Sequence, residues 1–348
     1  MTLPEKPGSA GSFSVGLIGY GLAGSVFHSP LIEATSGLNL AAIVTSNPER
    51  QDDARRAHPG ATIFDNPAQM WAHAHALDLV VVASPNRTHV ALTLTALAAG
   101  LHVVVDKPLA PTAAEGRRLM DEARQRGRML TVFQNRRWDG DFLTVQRLLS
   151  EGALGEPLRF ESRFERWRPV PKGGWREEGA PEEAGGLLYD LGSHLIDQAL
   201  VLFGPASHVY AELNRRRPSA QVDDDAFVAV THASGVRSHL FMSAVAAQPG
   251  PRFRLLGNQA AYVKHGLDVQ EAALRSNPRV DSTGFGEDPR DAWGVLGTGD
   301  DARPVPTEVG GYQRFYEGVV AALRGTAPPP VDPADAVAVL EVIEAAQR

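Results

Sequence analysis

Three side chains far apart in the sequence carry the chemistry that is easiest to read from this chain. Lys107 closes the apolar run of HVVVDKP. An ammonium at the mouth of a buried strand can hold an oxygen and stabilise negative charge developing on it. The segment GGLLYDLGSHLID sets Asp190 and His194 four residues apart, with Asp197 three further on. On a helix all three project from one stripe, and Leu188, Leu191, Leu195 and Leu202 supply much of the apolar face that packs it. A histidine moves a proton near neutral pH, and a neighbouring carboxylate orients or tunes it. The set suits acid–base chemistry on an oxygen held by the lysine, with the immediate base open between Lys107 and His194. Asp106 and Asp197 read as partner or structural residues. His and Asp also ligate metals, but no HExxH pattern occurs and no metal is expected. A solvated loop lysine and a solvated or capped helix face are the plain alternatives.

The elements needed to position these residues follow from the hydrophobic pattern. Short apolar runs at Ser14–Ile18, Leu40–Val44, Ala61–Phe64, Leu77–Ala83, His102–Asp106 and Met129–Phe133 alternate with helix-like segments. Several are continuously apolar, as expected of strands covered on both faces. Helix starts are marked by Asn47 before Pro48, by Asn66 before Pro67, and by Thr112 three residues ahead of Glu115. This grammar predicts an N-terminal Rossmann domain, a doubly wound parallel sheet over residues 13–134, after a loose stretch at 1–12. From about Phe133–Arg137 the pattern changes. A helix at Phe142–Glu151 precedes strands at Leu158–Trp167, Ser207–Asn214, Ala226–Thr231, Val236–Ala244 and Phe253–Leu256, with a hairpin turn at Ala233–Gly235 and one long helix over Leu187–Phe203. Residues 135–348 therefore read as an α+β domain with a large, mostly antiparallel open sheet. Helices at Gly311–Leu323 and Ala334–Ala346 are free to pack back on the first domain, and Pro278–Pro306 reads as loop.

Directly after the first strand, VGLIGYGLAGSVF places Gly19, Gly21 and Gly24 in GxGxxG spacing. The first permits a tight turn, the second lets backbone approach a pyrophosphate, and the third lets helix and strand pack closely. Leu22 and Ala23 lie between the last two and belong to the same dinucleotide-binding turn. An acidic residue at the end of strand two would bind the ribose hydroxyls of NAD. Here Val44, Thr45, Ser46 and Asn47 occupy that end, with Thr45 and Ser46 the candidate coenzyme contacts. Ser46 can donate to a ribose 2′-phosphate and Arg50 can pair with it, which points to NADP with NAD as the alternative. At the strand-four exit, ASPNRTH, residues Pro85, Asn86 and His89 are expected beside the coenzyme, with a helix cap as the other role open to Asn86. Asn135, Arg136 and Trp138 are expected to face the cleft, together with Arg163 on the first long strand of the second domain. Strand alternation prevents Arg163, Arg166 and Arg168 from all sharing one face.

Composition narrows the class. The chain has 348 residues, 34 basic against 41 acidic side chains, a formal charge of -7 and no cysteine. Disulfides, thiolate nucleophiles and iron–sulfur clusters are excluded, and the charge offers no footprint for nucleic acid. No apolar run nears the roughly 20 residues that span a bilayer, and the polar start lacks a signal-peptide pattern. The expectation is a cytoplasmic protein without a membrane or nucleic-acid partner. Only Lys6, Lys107, Lys172 and Lys264 among the basic residues are lysines, which sets Lys107 apart.

From Phe13 onwards the chain resembles the glucose–fructose oxidoreductase, inositol dehydrogenase and rhizopine catabolism (Gfo/Idh/MocA) family. The glycine fingerprint, the strand ending in Lys107-Pro108 and the Asp190…His194 helix carry the resemblance. It implies that Lys107, Asp190 and His194 form the catalytic constellation and that Lys107-Pro108 is a cis peptide. It also implies homodimers or homotetramers formed through the second-domain sheet. FQNRRWDGDF, FESRFERWRP, GLLYDLGSHLIDQAL and KHGLDVQE resemble a subgroup containing NADP-dependent scyllo-inositol 2-dehydrogenases. Two departures stand out: Asp106 replaces the commoner glutamate before the lysine, and Asn47 replaces an arginine common after Thr-Ser. The resemblance implies reversible oxidation of a secondary alcohol on a cyclic polyol or sugar, as in scyllo-inositol and 2-keto-myo-inositol. Another sugar, a sugar acid or a cyclic imine is the nearest alternative, and a non-catalytic dinucleotide sensor is the alternative from a different class.

Overall fold

The computed structural model describes residues 11–171, 173, 174, 177, 179, 183–276 and 279–348, so most of the stretch expected to be loose at 1–12 lies outside the described residues. The first apolar runs form six parallel strands: β1 (Phe13–Ile18), β2 (Leu38–Val44), β3 (Thr62–Phe64), β4 (Leu79–Val82), β5 (His102–Asp106) and β6 (Leu130–Phe133). Their order is β3-β2-β1-β4-β5-β6. The order reverses between β1 and β4, where Ile18 pairs with Val44 on one side and Val82 on the other. Ligands of such sheets bind in the crevice outside the strand ends at that reversal. The glycine turn after β1 and Lys107 after β5 both lie at this edge.

Helices α1 (Ser29–Ala34), α2 (Pro48–Ala57), α3 (Pro67–Trp71), α4 (His89–Ala98) and α5 (Ala113–Gln125) connect the strands. The Asn47 side chain accepts from Arg50 N–H and the Asn66 side chain from Gln69 N–H. At α5, Thr112 Oγ1 accepts from Glu115 N–H and donates to Glu115 Oε2 at 2.9 Å. These bonds satisfy first-turn amides that would otherwise be orphaned.

After α6 (Gly140–Ser150), eight strands build the second sheet: β7 (Pro157–Glu165), β8 (Ala206–Asn214), β9 (Asp225–His232), β10 (Arg237–Ser243), β11 (Phe253–Gly257), β12 (Ala261–Lys264), β13 (Gly294–Gly297) and β14 (Arg303–Val305). The order is β14-β13-β12-β11-β7-β10-β9-β8. Every neighbouring pair is antiparallel except β7 and β10, which run parallel. The stretch expected as loop at Pro278–Pro306 contains β13 and β14. Strands of four and three residues are too short to show a period of two, and Pro304 is tolerated because β14 is an edge. Gly294 has no side chain because the Tyr262 ring fills that space. A further short helix, α8 (Gln270–Ser276), follows β12.

Helix α7 (Ser193–Phe203) packs on the second sheet, with Phe203 5.5 Å from Phe160 by ring centroids. The closing helices α9 (Gln313–Leu323) and α10 (Pro333–Ala346) lie against the first sheet's elements. Thr131 in β6 donates to the Val331 carbonyl at 2.7 Å, Ala113 N–H donates to Glu344 at 2.7 Å, and Gly116 of α5 faces Val337 and Leu340. The C-terminal segment thereby packs back on the first sheet's elements, and α10 also touches α7 and β8.

Candidate active site

Gly19 adopts φ +101°, and a side chain there would press into the Ala83–Ser84 backbone of the β4 exit. A Cβ on Gly24 would collide with the Gly19 carbonyl, so the turn closes only because both are glycine. Gly21, by contrast, has open space except for Arg50 Nη1, which lies 3.6 Å from where a Cβ would stand. The chain leaves the turn through a wide π-helical segment, Ala23–His28, in which Ser29 N–H reaches the Gly24 carbonyl.

A cavity of about 670 Å³ opens beside this turn, lined by Leu22, Ala23, Asp106, Lys107, Asp190 and His194 among others. Lys107 Nζ donates to the Asp190 main-chain carbonyl at 2.6 Å and to Asp190 Oδ1 at 3.0 Å. Arg166 Nη2 lies 3.8 Å from the other carboxylate oxygen. Lys107-Pro108 is a cis peptide, and Lys107 N–H is held by Asp106 Oδ1 at 2.9 Å.

The expectation that Asp190 orients His194 is corrected by this geometry, because its carboxylate is turned to the lysine. Residues Leu188–Gly192 form a wide π-helical turn before α7 begins. Such a turn breaks the regular spacing that would stack Asp190 under His194. Its start is fixed by Asp223, whose carbonyl and carboxylate accept from Leu187 and Leu188 N–H at 3.0 and 2.7 Å. Burial raises the Asp223 carboxyl to about 6.

His194 is buried against Phe164, with ring centroids 6.4 Å apart. Among the described residues its Nδ1 has no hydrogen-bond partner. Burial holds the imidazole well below the ordinary histidine range, and the Lys107, Arg136 and Arg252 charges push the same way. A neutral ring facing a polar cavity is equipped to accept a proton. Asp197 belongs elsewhere: it accepts from Arg137 Nε and Nη2 at 2.8 and 2.6 Å in a buried fork.

Asn135 and Arg136 line the cavity, with Arg136 paired to Glu271 at 2.7 Å and its guanidinium 4.7 Å from the Phe164 ring centre. Trp138 does not line it. Its ring packs edge-on against Phe315 of α9 at 5.7 Å, because the chain after β6 coils into a short 3₁₀ turn that sends position 138 inward. Arg163 is also outside the cavity. Phe164 faces His194, so the preceding residue must face the opposite side of β7, where Arg163 pairs with Glu161 and covers Phe241. Arg166 and Arg168, past the strand end, do line the cavity.

At the strand-four exit, Pro85, Asn86 and His89 line neither this cavity nor the opening beside Arg50. His89 is buried, its Nδ1 2.8 Å from the Pro108 carbonyl and its Nε2 2.9 Å from the Ser84 carbonyl. It ties the ends of β4 and β5 together and does not line either cavity. Pro85 accepts from Thr88, and the Asn86 amide donates to the carbonyls of Glu183 and Ala184 at 3.2 Å. Thr45 is buried and held through its backbone by Phe64 and Gln51. Ser46 is exposed and lines neither cavity. Arg50 lines a second opening of about 600 Å³ on the other side of the glycine turn, with Tyr20, Gly21 and Arg56.

A buried connection under Lys107 was not legible beforehand. His28 Nδ1 stands 2.7 Å from the Tyr316 hydroxyl, and its Nε2 lies 3.9 Å from Asp106 Oδ1. Residues 28 and 316 meet only because α9 returns to the first sheet, and nothing local to either position announces it. Among the described residues, no group of three or more His, Asp or Glu side chains is placed to hold a metal ion. No described helix is long and apolar enough to cross a membrane.

Fold and cavity together define an oxidoreductase with a Rossmann dinucleotide-binding domain. Residues 13–134 match the model for the oxidoreductase family with an NAD-binding Rossmann fold, and residues 142–263 match the GFO/IDH/MocA C-terminal domain. The chain belongs to the Gfo/Idh/MocA oxidoreductase family. It is 41% identical over 334 residues to the oxidoreductase YdgJ of Escherichia coli (strain K12), covering 95% of this chain and 94% of that one. It is 34% identical over 352 residues to the scyllo-inositol 2-dehydrogenase (NADP(+)) IolW of Bacillus subtilis (strain 168), covering 100% and 96%. The solved structure of the oxidoreductase yvaA from Bacillus subtilis is similar with a TM-score of 0.91 at 34% identity, covering 97% and 96%.

Proposed function

We propose that the chain transfers hydride between NADP(H) and a secondary alcohol of a cyclic polyol or sugar, with scyllo-inositol and its 2-keto form as the first candidates. The observation that carries this reading is that Lys107, Asp190 and His194 line one cavity with the glycine turn. Gly19, Gly21 and Gly24, with Leu22 and Ala23, would hold the pyrophosphate; the open side of Gly21 and the close-packed glycines on either side fit that group. When bound, a nicotinamide coenzyme supplies the hydride acceptor for oxidation and the donor for reduction.

The chain's own residues divide the remaining work. An ammonium has three donors. Two of those of Lys107 are taken by Asp190, and the third, without a partner among the described residues, can hold the substrate oxygen. His194 accepts the hydroxyl proton as the C–H bond breaks and the C=O bond forms, and returns it in reduction. Asp190 keeps the lysine on station. The many polar side chains around the cavity suit a polyhydroxylated substrate, and the 34% identity to a protein named for scyllo-inositol supports that class. Arg50 beside Gly21 supports recognition of a 2′-phosphate.

Reduced coenzyme formed from NADP and from NAD, each offered with a panel of cyclic polyols and aldoses, tests the assignment. Turnover with scyllo-inositol and NADP is expected, and R50A should raise the NADPH Kd about tenfold while leaving NADH unchanged. Turnover confined to NAD and an aldose would remove the narrow reading. The expected self-association through the second sheet, whose outer face sets Phe227 4.9 Å from Phe241, is checked by sedimentation.

A further inference from the structure

Between Gly19 and Gly21 the dinucleotide-binding turn carries a tyrosine whose side chain is buried. The Tyr20 hydroxyl lies 2.9 Å from His58 Nε2, and His58 Nδ1 lies 2.6 Å from Glu33 Oε1. Three segments meet here: the glycine turn, helix α1 through Glu33, and the residue that ends α2. His58 is fixed in turn by its own N–H, which donates to the Ala54 carbonyl at 2.8 Å.

The polarity of this chain of bonds follows from its exposed end. A carboxylate only accepts, so His58 Nδ1 carries the hydrogen, and in a ring with one hydrogen Nε2 presents its lone pair. Toward that nitrogen Tyr20 donates. Burial raises the phenol above its ordinary range, so it keeps the proton it donates. The Tyr20 and His58 rings also meet edge-on, 5.7 Å apart at 87°. Glu33 is nearly half exposed, so the line runs from solvent to the turn.

This line also borders the second cavity. Tyr20 and Gly21 form one wall, and Arg50, Asp53 and Arg56, all on α2, form the other. We propose that Glu33, His58 and Tyr20 act as a positioning relay that locks α2 and its cationic side chains against the glycine turn, and so sets affinity for the adenosine side of the coenzyme. The relay rests on the reading of that cavity as the adenosine end. Cutting it leaves a buried ring nitrogen without a donor and releases α2 from the turn.

The test compares wild type with Y20F, H58L and H58Q. Each is titrated separately with NADPH and NADH by protein fluorescence, and its thermal midpoint and second-substrate kinetics are recorded. Y20F and H58L should raise the Kd of the coenzyme that wild type binds by about five- to tenfold. Their kcat at saturating coenzyme and their KM for the second substrate should stay within twofold of wild type. A glutamine offers one acceptor and one donor end, so H58Q should return the Kd to within twofold. The relay is overturned if Y20F and H58L bind coenzyme as wild type does while only the thermal midpoint falls, or if H58Q binds as weakly as H58L. Preference of the wild type for NADH overturns the NADP reading alone, because the relay is scored on whichever coenzyme binds.

Discussion

Lys107 is held by Asp190 from two directions, its ammonium donating to that residue's main-chain carbonyl at 2.6 Å and to its carboxylate at 3.0 Å. The lysine comes from the end of β5 and the aspartate from the wide turn ahead of α7, so the pair joins the two sheets across the cavity. Replacing Lys107 by methionine keeps the stem and removes every donor. Activity should fall by about 10³, with the coenzyme Kd within threefold of wild type. D190N keeps the carbonyl contact and loses only the charge, so its loss of kcat should be smaller, on the order of tenfold. Equal losses in both variants would mean that the carboxylate acts on the substrate directly.

His194 makes a prediction through its protonation. Burial and then the Lys107, Arg136 and Arg252 charges hold it well below the usual histidine range. The ring is therefore still neutral, and still a base, at a pH where an ordinary histidine has become charged. The rate of alcohol oxidation should stay level as pH falls through 6.5 and decline only in more acid solution. In K107M one of the charges that lowers His194 is gone, so the acid limb of the residual activity should move to higher pH. H194A should lose about 10²–10⁴ in kcat and lose that limb altogether. An acid limb unchanged in H194A would remove the histidine from the reaction.

Much of this arrangement was legible because the residues concerned sit at the ends of elements. Continuous apolar runs marked β1 to β6, and Asn47, Asn66 and Thr112 marked helix starts by the bonds their side chains make. Lys107 after β5 and His194 at the start of α7 could be brought to one place by topology alone. The partner of Asp190 could not, because a π-helical turn leaves no mark in a pattern read at 3.6 residues per turn. Trp138 and Arg163 failed for a related reason. Trp138 stands two residues past the cavity-lining Arg136 and Arg163 one residue before Phe164, which faces His194, and which position faces the site depends on the local turn or pleat. His89 has the polarity of a ligand-binding residue, but its two ring nitrogens face the Pro108 and Ser84 carbonyls instead. The His28–Tyr316 contact and the β13–β14 edge depend on where distant segments return, which local periodicity does not encode.

Asp197 separates stability from chemistry. It lies on the same helix as His194, yet both its oxygens accept from Arg137, which also reaches Asp335 of α10 at 3.0 Å. D197A would leave a largely buried guanidinium with only a half-exposed partner. Breaking one side of such a pair costs about 3 kcal/mol, so the urea midpoint should fall clearly. At a temperature where the variant is folded, kcat and the coenzyme Kd should match wild type. A specific loss of kcat would place Asp197 in the proton path.

The fold should also weaken in acid through His28. Burial lowers this histidine to about 4, against the pull of Asp106, while in the unfolded chain it titrates near 6.5. Between these values the unfolded state binds more protons, so stability must fall as pH drops from 6.5 towards 4 and is complete above 6.5. The gap corresponds to about 3 kcal/mol at the acid end. Buried His89 and His194 are lowered as well and add to the same slope. H28N offers an amide oxygen to the Tyr316 hydroxyl without a group that titrates. Its urea midpoint should vary less than that of wild type between pH 7.5 and 5, and its coenzyme affinity at pH 7.5 should be unchanged. Parallel midpoint curves for the two proteins would show that His28 takes up its proton as easily when folded as when unfolded.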